Sequence, residues 1–463
     1  MDNNILDLLI KYSNRSDITA LADENQEMTY KELYEYIWHF RENQAESNIL
    51  KNNRVGVIID QSVTSTLIIL ILLQLNTTFL LVDNKQTKAD LNRISQKTDI
   101  FIWIGAIESK NLFGDQGCTF ISYQDFLSSN FSTEHLPEIS LNKEKSILQI
   151  TSGTTGPVKV AIISHSTLFQ GSRFYSRWFN LTPQDTILTT VPFNHNFGLV
   201  GGLLSSLLSG SKLIISNKPT AKYVGKMIKK YGATVILAVP LLFELLVRSN
   251  HIAPQNLSSV RVAISSGSYL SEDISQLFLN KFQIGVSQIY GSTETGVIAS
   301  TNPNIKYSSE SAGEIIPGVR VKITNEGRIA VKSNTLFQGY LDNRDVLNNH
   351  GYYVTEDLGK LKDNQLFLTG RVSRFINIGG RKINPLEIKD VLTSYHGIIN
   401  AKVMGTGTFQ SNERIIAYVQ VNNGITVEMI FRYLQIELAE YKIPHEIIIV
   451  EEIPSSWKES YKL

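Results

Sequence analysis

The chain has 463 residues, too many for one ordinary hydrophobic core, so two or more domains are expected. Hydrophobic residues make up 42% and charged residues 19%, the balance of a soluble globular enzyme, and a formal net charge of +1 excludes the strong global field of a nucleic-acid or acidic-membrane binder. The single cysteine, Cys118, excludes an internal disulfide framework and a cysteine-based zinc site. The N-terminus, Met1-Asp-Asn-Asn4, lacks the basic start of a signal peptide. The apolar run 67–73 is much shorter than the ~20 residues of a membrane span, and the run 197–215 is broken by glycines, serines and Lys212. Both read as buried core, with no membrane span and a cytoplasmic protein.

In chain order, residues 4–12 read as a short amphipathic helix, and Thr29, with Glu32 three residues on, as the N-cap of another. A buried strand at 55–59, an apolar helix at 62–75 and a strand at 79–82 have the solid apolar runs of a parallel sheet covered on both faces. Short strands at 99–104 and 116–121 continue it. The runs 146–150 and 160–164 flank a polar loop, so this stretch reads strand, loop, strand. A helix at 167–178, a strand at 186–191 and the loop Pro192-Phe-Asn-His-Asn-Phe-Gly198 follow. Helices at 199–209, 221–231 and 240–248 then alternate with strands at 212–215, 235–239 and 260–265. The reading is a doubly wound α/β domain to about Ser300.

Beyond Ser300 the texture changes to short strands with turn signals at 313–318, 319–323, 327–332, 339–342 and 351–357, which suggests a small β-barrel-like subdomain. Residues 365–370 and 375–378 read as a further strand pair. A helix at 384–394 carries Pro385 in its first turn, and strands at 401–405, 415–421 and 446–450 with a helix at 427–440 complete a small α+β unit. A boundary near Arg371 divides a large domain, 1–370, from a small C-terminal one, 371–463.

The unusual loops lie at strand ends, where open α/β sheets bind ligands. In Thr151-Ser152-Gly153-Thr154-Thr155-Gly156 every residue is small. Glycines let the backbone approach a ligand closely, successive N–H groups can point at an anion, and Lys159 adds charge. On composition this is a phosphate-gripping loop, though surface turns share that composition, and it lacks the Gly-Lys-Ser/Thr of a P-loop. Glu294, between Thr293 and Thr295, could hold a hard cation such as Mg²⁺ on phosphate oxygens, or be a solvated loop glutamate. Ser265-Ser-Gly-Ser268 could lie flat against a planar base. Asp357 offers two acceptor oxygens to a ribose diol, and Arg371 could meet phosphate or the same ribose.

Together, in this order and spacing, these motifs resemble the adenylate-forming superfamily: acyl-CoA and aryl-CoA ligases, adenylation domains of peptide synthetases, and luciferase. The resemblance covers essentially the whole chain. It rests on Thr151 to Gly156 with Lys159, Tyr290-Gly-Ser-Thr-Glu294, Thr355-Glu-Asp357, Gly370-Arg371 and Ile376-Asn-Ile-Gly-Gly-Arg-Lys-Ile-Asn-Pro-Leu-Glu387, with residues 185–198 and 313–323 matching in place. It implies a two-domain fold whose small α+β C-terminal domain is a mobile lid hinged at Ser373. It implies ATP and Mg²⁺ as cofactors, and a carboxylate that attacks the α-phosphate of ATP to give an acyl-adenylate and pyrophosphate. A thiol, of CoA or of a phosphopantetheinylated carrier protein, then takes the acyl group. By match, Thr151, Ser152, Gly153, Thr154, Thr155, Gly156 and Lys159 would embrace the triphosphate. Ser266, Gly267, Ser268, Tyr290, Gly291 and Thr293 would frame the adenine side, and Asp357 and Arg371 would hold the ribose. Glu294 would bind the metal, with Thr154, Glu294, His195 and Lys462 as the catalytic set. His195, Asn196, Phe197, Val239 and Gly291 would line the acid pocket.

The chain also departs from the pattern. Val158 separates Pro157 from Lys159, Val160 stands where glycine is usual, and the hinge position, often aspartate or lysine, is Ser373. In the last motif Tyr461 replaces glycine, which leaves Lys462 as the best match, Lys458 as its rival, and a frayed tail as a third reading. That departure is the one support for an alternative, an impaired homologue acting as a binding or regulatory protein; a luciferase-like oxygenase is a further class that nothing in the chain calls for. The second loop lacks the aspartate that amino-acid-activating members use for the substrate amine, and a buried amine without its counter-charge is costly. A small carboxylic acid without an α-ammonium group is therefore expected. His195-Asn196-Phe197 resembles the His-Asn-aromatic of aryl-acid enzymes and equally the His-x-x-Gly of acyl-CoA ligases, with a mild lean to aryl.

Overall fold

The computed structural model describes residues 4–14, 18–42, 50, 53–113, 117–128, 145–151, 159–302, 311–371, 376–379, 381–406 and 413–453. The chain opens with helix Ile5–Ser13, whose N-cap Asn4 accepts the Leu6 N–H. A short antiparallel pair follows, β1 (Thr19–Ala22) and β2 (Glu27–Thr29). Strands of three and four residues carry too little alternation for sequence patterning to announce them. Glu32 donates its N–H to Thr29 Oγ1 (3.1 Å) and returns a carboxylate to the Thr29 N–H (2.8 Å), the reciprocal cap expected at the start of helix Tyr30–Glu42.

The first sheet holds β3 (Arg54–Ile59), β4 (Thr78–Asp83), β5 (Ile102–Gly105), β6 (Thr119–Ser122), β7 (Ser146–Thr151) and β8 (Lys159–Ser164), in the order β6-β5-β3-β4-β7-β8. Its neighbours are parallel except β7 and β8. Helix Val63–Gln74 is apolar all round because nearly every residue in it is buried, and Ser62 and Ser65 close a reciprocal cap at its start. Thr151 pairs directly with Lys159, so the loop between them leaves and returns at one rung of the ladder.

The second sheet adds β9 (Thr186–Thr189), β10 (Lys212–Ile215), β11 (Val235–Ala238), β12 (Val262–Ser265), β13 (Val286–Ser292), β14 (Gly296–Ser300), β15 (Ser311–Ile315), β16 (Arg320–Ile323), β17 (Arg328–Lys332), β18 (Tyr353–Lys362) and β19 (Gln365–Arg371). The strand order is β16-β17-β18-β19-β15-β14-β13-β12-β11-β9-β10-β1-β2. From β1 to β13 the neighbours in that order run parallel, and from β13 to β16 antiparallel. β13 is the joint: Val286 faces β12, while Tyr290 to Ser292 face β14. The β-rich part after Ser300 is thus hydrogen-bonded onto the α/β sheet. Within it, residues 339–342 form only a single bridge, Tyr340 with Ala161.

The remaining strands form a hairpin, β20 (Ile376–Ile378) with β21 (Arg381–Ile383), and a three-stranded sheet of β22 (Ile398–Thr406), β23 (Arg414–Val421) and β24 (Glu446–Ile449). This corrects the pairing read from sequence: β19 pairs with β15 and β18, and residues 376–378 pair with β21. Apolar runs of similar length do not by themselves say which strand lies beside which. Helix Pro385–Ser394 has Pro385 in its first turn, as expected, and Asn384 stands outside it as the N-cap, its side chain accepting the Leu386 N–H. Ile376, Ile388, Val403, Val419, Leu434 and Ile447 belong to a core drawn entirely from this C-terminal part. The main core lies against the first sheet and gathers Phe79, Ile104, Ile163, Phe193, Leu237 and Tyr340.

One ion pair ties β9 to β12. Asp185 accepts from both Nε and NH2 of Arg261 at 2.8 Å, from Thr234 Oγ1 at 2.7 Å and from the Thr182 N–H at 2.9 Å. Burial works to raise its pKa, but these donors win and lower it from 3.8 to about 2. The stabilisation is therefore present above the unfolded value and fades as pH falls toward 2. Asp185→Asn should lose about 2 kcal/mol at neutral pH, read from urea midpoints, with the gap to wild type closing below pH 4.

Candidate active site

Three clusters meet around the joint in β13. The first joins Tyr290, Asp357 and Arg371. Tyr290 donates its hydroxyl to Asp357 Oδ2 at 2.7 Å, and Arg371 NH1 lies 3.2 Å from Asp357 Oδ1. The ladder sets this up, because Asp357 of β18 is the register partner of Arg371 of β19. Thr355 Oγ1 accepts the Asp357 N–H at 3.2 Å and holds the carboxylate's backbone. Burial, then the charge of Asp357, pushes the Tyr290 hydroxyl well above its ordinary range, so it stays a donor. The turn that follows β12 reaches this cluster from below: Ser266 Oγ donates to the Ile289 carbonyl at 3.1 Å, and Gly267 sits at φ +92°, a left-handed conformation that favours glycine.

The second cluster is Lys159, Tyr340, Tyr353 and Glu294. Tyr340 donates to Glu294 Oε1 at 3.0 Å and meets the Tyr353 hydroxyl at 3.0 Å, while Lys159 Nζ lies over the Tyr340 ring at 5.2 Å. Burial and then the Glu294 charge raise the Tyr340 pKa, which keeps that hydroxyl protonated. Glu294 is presented by a tight β13–β14 turn. The Phe337 N–H bonds the Glu294 carbonyl at 2.9 Å, Thr335 Oγ1 bonds the Thr295 carbonyl at 2.8 Å, and a Cβ on Gly291 would fall 2.1 Å from the Gly296 carbonyl oxygen. A positive and a negative side chain thus share one tyrosine platform at the end of the Thr151–Lys159 rung.

The third cluster is the loop before Phe197. A π-helical segment, Phe197–Leu204, replaces the regular helix expected there, and helix Ser205–Ser209 continues it. Gly198 lies so close to the chain before it that a Cβ would come within 2.5 Å of the Val191 and Pro192 carbonyl oxygens. Segments of this kind are frequent at functional sites. Phe197 stacks on Tyr175 with ring centroids 6.4 Å apart. Asn196 Nδ2 donates to the Thr293 carbonyl at 3.4 Å, which links this loop to the Glu294 turn, and Asn196 Oδ1 is buried with no partner among the described residues. A carbonyl can only accept, so that bond fixes the orientation of the amide. His195 is an exposed residue of this loop. Desolvation by the surrounding protein, with the Arg381 and Lys382 charges and against the opposing Asp83 charge, lowers its pKa to about 4. Val239 precedes helix Pro240–Arg248 at the end of β11, and a Cβ on Gly379 of the C-terminal hairpin would lie 3.8 Å from Leu241 Cδ2 in that helix.

The family model described as AMP-binding enzyme matches residues 11–341. The chain belongs to the AMP-binding enzyme family. It is 27% identical over 350 residues to YngI of Bacillus subtilis, which carries the name of an acyl-CoA synthetase; the match spans 70% of this chain and 64% of that protein's length. It is 24% identical over 454 residues to the 2-succinylbenzoate–CoA ligase of Bacillus mycoides, spanning 95% and 93% of the two chains. A malonyl-CoA ligase in a ternary product complex with methylmalonyl-CoA and AMP shares the fold, with a TM-score of 0.81 at 21% identity over 95% of this chain and 97% of that one.

In this AMP-binding enzyme the structure brings together Tyr290, Asp357 and Arg371; Lys159 and Glu294; and Asn196 with Thr293. Ser152, Gly153, Thr154, Thr155, Gly156, Ser373, Lys458 and Lys462 lie outside the described residues. Patterning misses Tyr340 and Tyr353, which tie Glu294 to Lys159. Among the described residues no three of His, Cys, Asp and Glu gather into a metal cage. A lone glutamate still fits Mg²⁺, which takes one or two carboxylates and completes its shell with phosphate and water. No helix among the described residues is long and apolar enough to cross a membrane.

Proposed function

We propose that this chain uses ATP to convert a carboxylic acid other than an α-amino acid into an acyl-adenylate, and then passes the acyl group to a thiol. In the first step a carboxylate oxygen attacks the α-phosphorus and the bond to pyrophosphate breaks. In the second, sulfur adds to the acyl carbonyl, the carbon–oxygen bond to AMP breaks, and the thiol proton is released. The observation that carries the reading is the convergence on β13 and the turn that follows it of the Tyr290–Asp357–Arg371 set and the Glu294–Tyr340–Lys159 set. The first set suits a ribose diol. The second suits phosphate: Lys159 offsets its charge, and Glu294 would hold Mg²⁺, which when bound supplies positive charge to the phosphate oxygens. The named CoA ligases among its relatives support the same reading. Both CoA and a pantetheinylated carrier protein fit as acceptor, and ATP and CoA as co-substrates support a cytoplasmic setting.

Domain motion is part of the proposal. Residues 371–463 form a lid that turns about Ser373, bringing Lys462 for adenylation and withdrawing it so that a thiol can enter. The orientation described here, with the β20–β21 hairpin beside Leu241, belongs to the second step. ATP–pyrophosphate exchange against a panel of aryl and alkyl acids, followed by thioester formation with CoA, tests the whole reading. Exchange with no acid in the panel would favour a binding or regulatory role instead.

The acid's chemistry follows from Asn196. A buried acceptor with no partner among the described residues suits an acid that carries a donor there, a ring hydroxyl or amine. Asn196→Leu should shift the exchange preference roughly 10- to 100-fold toward unsubstituted acids while the substituted acid loses most. An unaltered preference profile would place Asn196 outside the acid pocket.

A further inference from the structure

We propose that Asp83 is a positioning residue for thiol transfer: through Arg381 it holds the small domain in the orientation described here, and it is dispensable for adenylation. The inference rests on the two-step reading above. Asp83 ends β4 at the carboxyl edge of the first sheet and is buried. Its two oxygens have separate tasks. Oδ1 closes its own turn, accepting from the Lys85 N–H at 3.1 Å and from Gln86 Nε2 at 3.2 Å. Oδ2 faces the small domain and takes Arg381 NH1 at 2.7 Å. The carboxylate is therefore aimed before the small domain arrives.

Arg381 is clamped from its other side, with its guanidinium 4.1 Å from the ring centre of Tyr441. The Tyr441 hydroxyl lies 3.5 Å from Gln86 Nε2, so the arginine's two supports join across the seam. Other charged contacts cross the seam but bind less to this orientation. Arg93 and Glu437 meet at 3.1 Å with side chains 45% and 27% exposed, and exposed pairs contribute little. Lys442 lies 3.8 Å from Asp90, but its nearer partner at 2.6 Å is Glu387 of its own domain, which it keeps in any orientation. Arg381 and Asp83 are 23% and 10% exposed and, among the described residues, have no such local substitute in the ion-pair network. A mostly buried pair is the kind whose disruption is felt.

What the anchor positions is the hairpin. Arg381 pairs with Ile378, so its attachment fixes the tip that brings Gly379 against Leu241 at the mouth of the acid site. Strand alternation sends Lys382 to the opposite face from Arg381. Losing the anchor frees the hairpin tip from the mouth of the acid site. Adenylation uses another lid orientation and has no need of it.

The test uses the full-length protein, and measures exchange and, separately, transfer from 2-hydroxybenzoyl-adenylate to CoA in single turnover. Asp83→Asn keeps the turn-capping oxygen and removes the charge. It should slow transfer about 10- to 30-fold and leave exchange within about twofold, as expected when a favoured orientation loses roughly a tenfold population advantage. Arg381→Ala should behave alike, and the double variant should be no slower than the worse single, because the two act through one contact. Spin-label distances between Ile107→Cys and Ile436→Cys, in a Cys118→Ser background, should broaden in Asp83→Asn. Equal losses in both half-reactions, multiplying losses in the double variant, or an unchanged distance distribution would each overturn the proposal. A wild type inert in both half-reactions, with distances that still broaden, would instead remove the two-step reading and leave the anchor standing as a determinant of domain orientation.

Discussion

Glu294→Gln will lower ATP–pyrophosphate exchange by about two to three orders of magnitude, roughly what one charged contact to the transition state is worth. The fold should survive. The amide keeps the carboxylate's shape, the Tyr340 hydroxyl can still donate to the remaining oxygen, and the Phe337 N–H to Glu294 carbonyl bond is untouched. Urea midpoints of variant and wild type should therefore agree. What is lost is one negative charge where, in the proposed function, a cation would be held on phosphate oxygens, so the Mg²⁺ titration of the residual exchange should move to higher concentration. Unchanged exchange with an unchanged Mg²⁺ titration would remove Glu294 from the site.

Asp357→Ala will raise KM for ATP about 100-fold with a smaller change in kcat. A ribose contact made equally in ground and transition states shows in KM first. The substitution also removes the acceptor of the buried Tyr290 hydroxyl and a carboxylate beside Arg371, which itself is only 21% exposed. A stability loss of about 1–3 kcal/mol should accompany the kinetic effect, and AMP binding by calorimetry should weaken in parallel with KM. A variant with normal affinity for AMP would show that Asp357 serves only to brace Tyr290 and Arg371.

Several features of the site were readable before any coordinates. The Thr151–Lys159 loop was framed correctly because apolar runs flank a run of small polar residues, and β7 and β8 form on either side of it. The second loop drew notice through His195 and Asn196, residue types that seldom end an apolar strand without reason. Two misreadings have physical causes. Residues 199–209 have the apolar content of a regular helix, yet Gly198, Gly201 and Gly202 let the chain wind as a wider π segment against Tyr175 and the Val191–Pro192 carbonyls. Residues 365–370 and 375–378 look like hairpin partners, but β19 completes the ladder with β18, where Asp357 meets Arg371.

By itself the sequence determined what acts over a few residues: the cap at Thr29, most of the longer strands and helices, and the strand-end loops with their Gly, Ser, Thr and acidic residues. These follow from backbone sterics, local hydrogen bonds and burial periodicity, all of which repeat within a turn or a strand. Only the tertiary structure decided that Tyr340 bridges Glu294 to Lys159, that Asn196 reaches Thr293 across 97 residues, and that Arg381 meets Asp83 across 298. Such contacts depend on which strands become neighbours and how two separately cored parts dock. No periodicity along the chain encodes that docking, because it is set by the fit of whole surfaces and by the cost of leaving a buried charge without its partner.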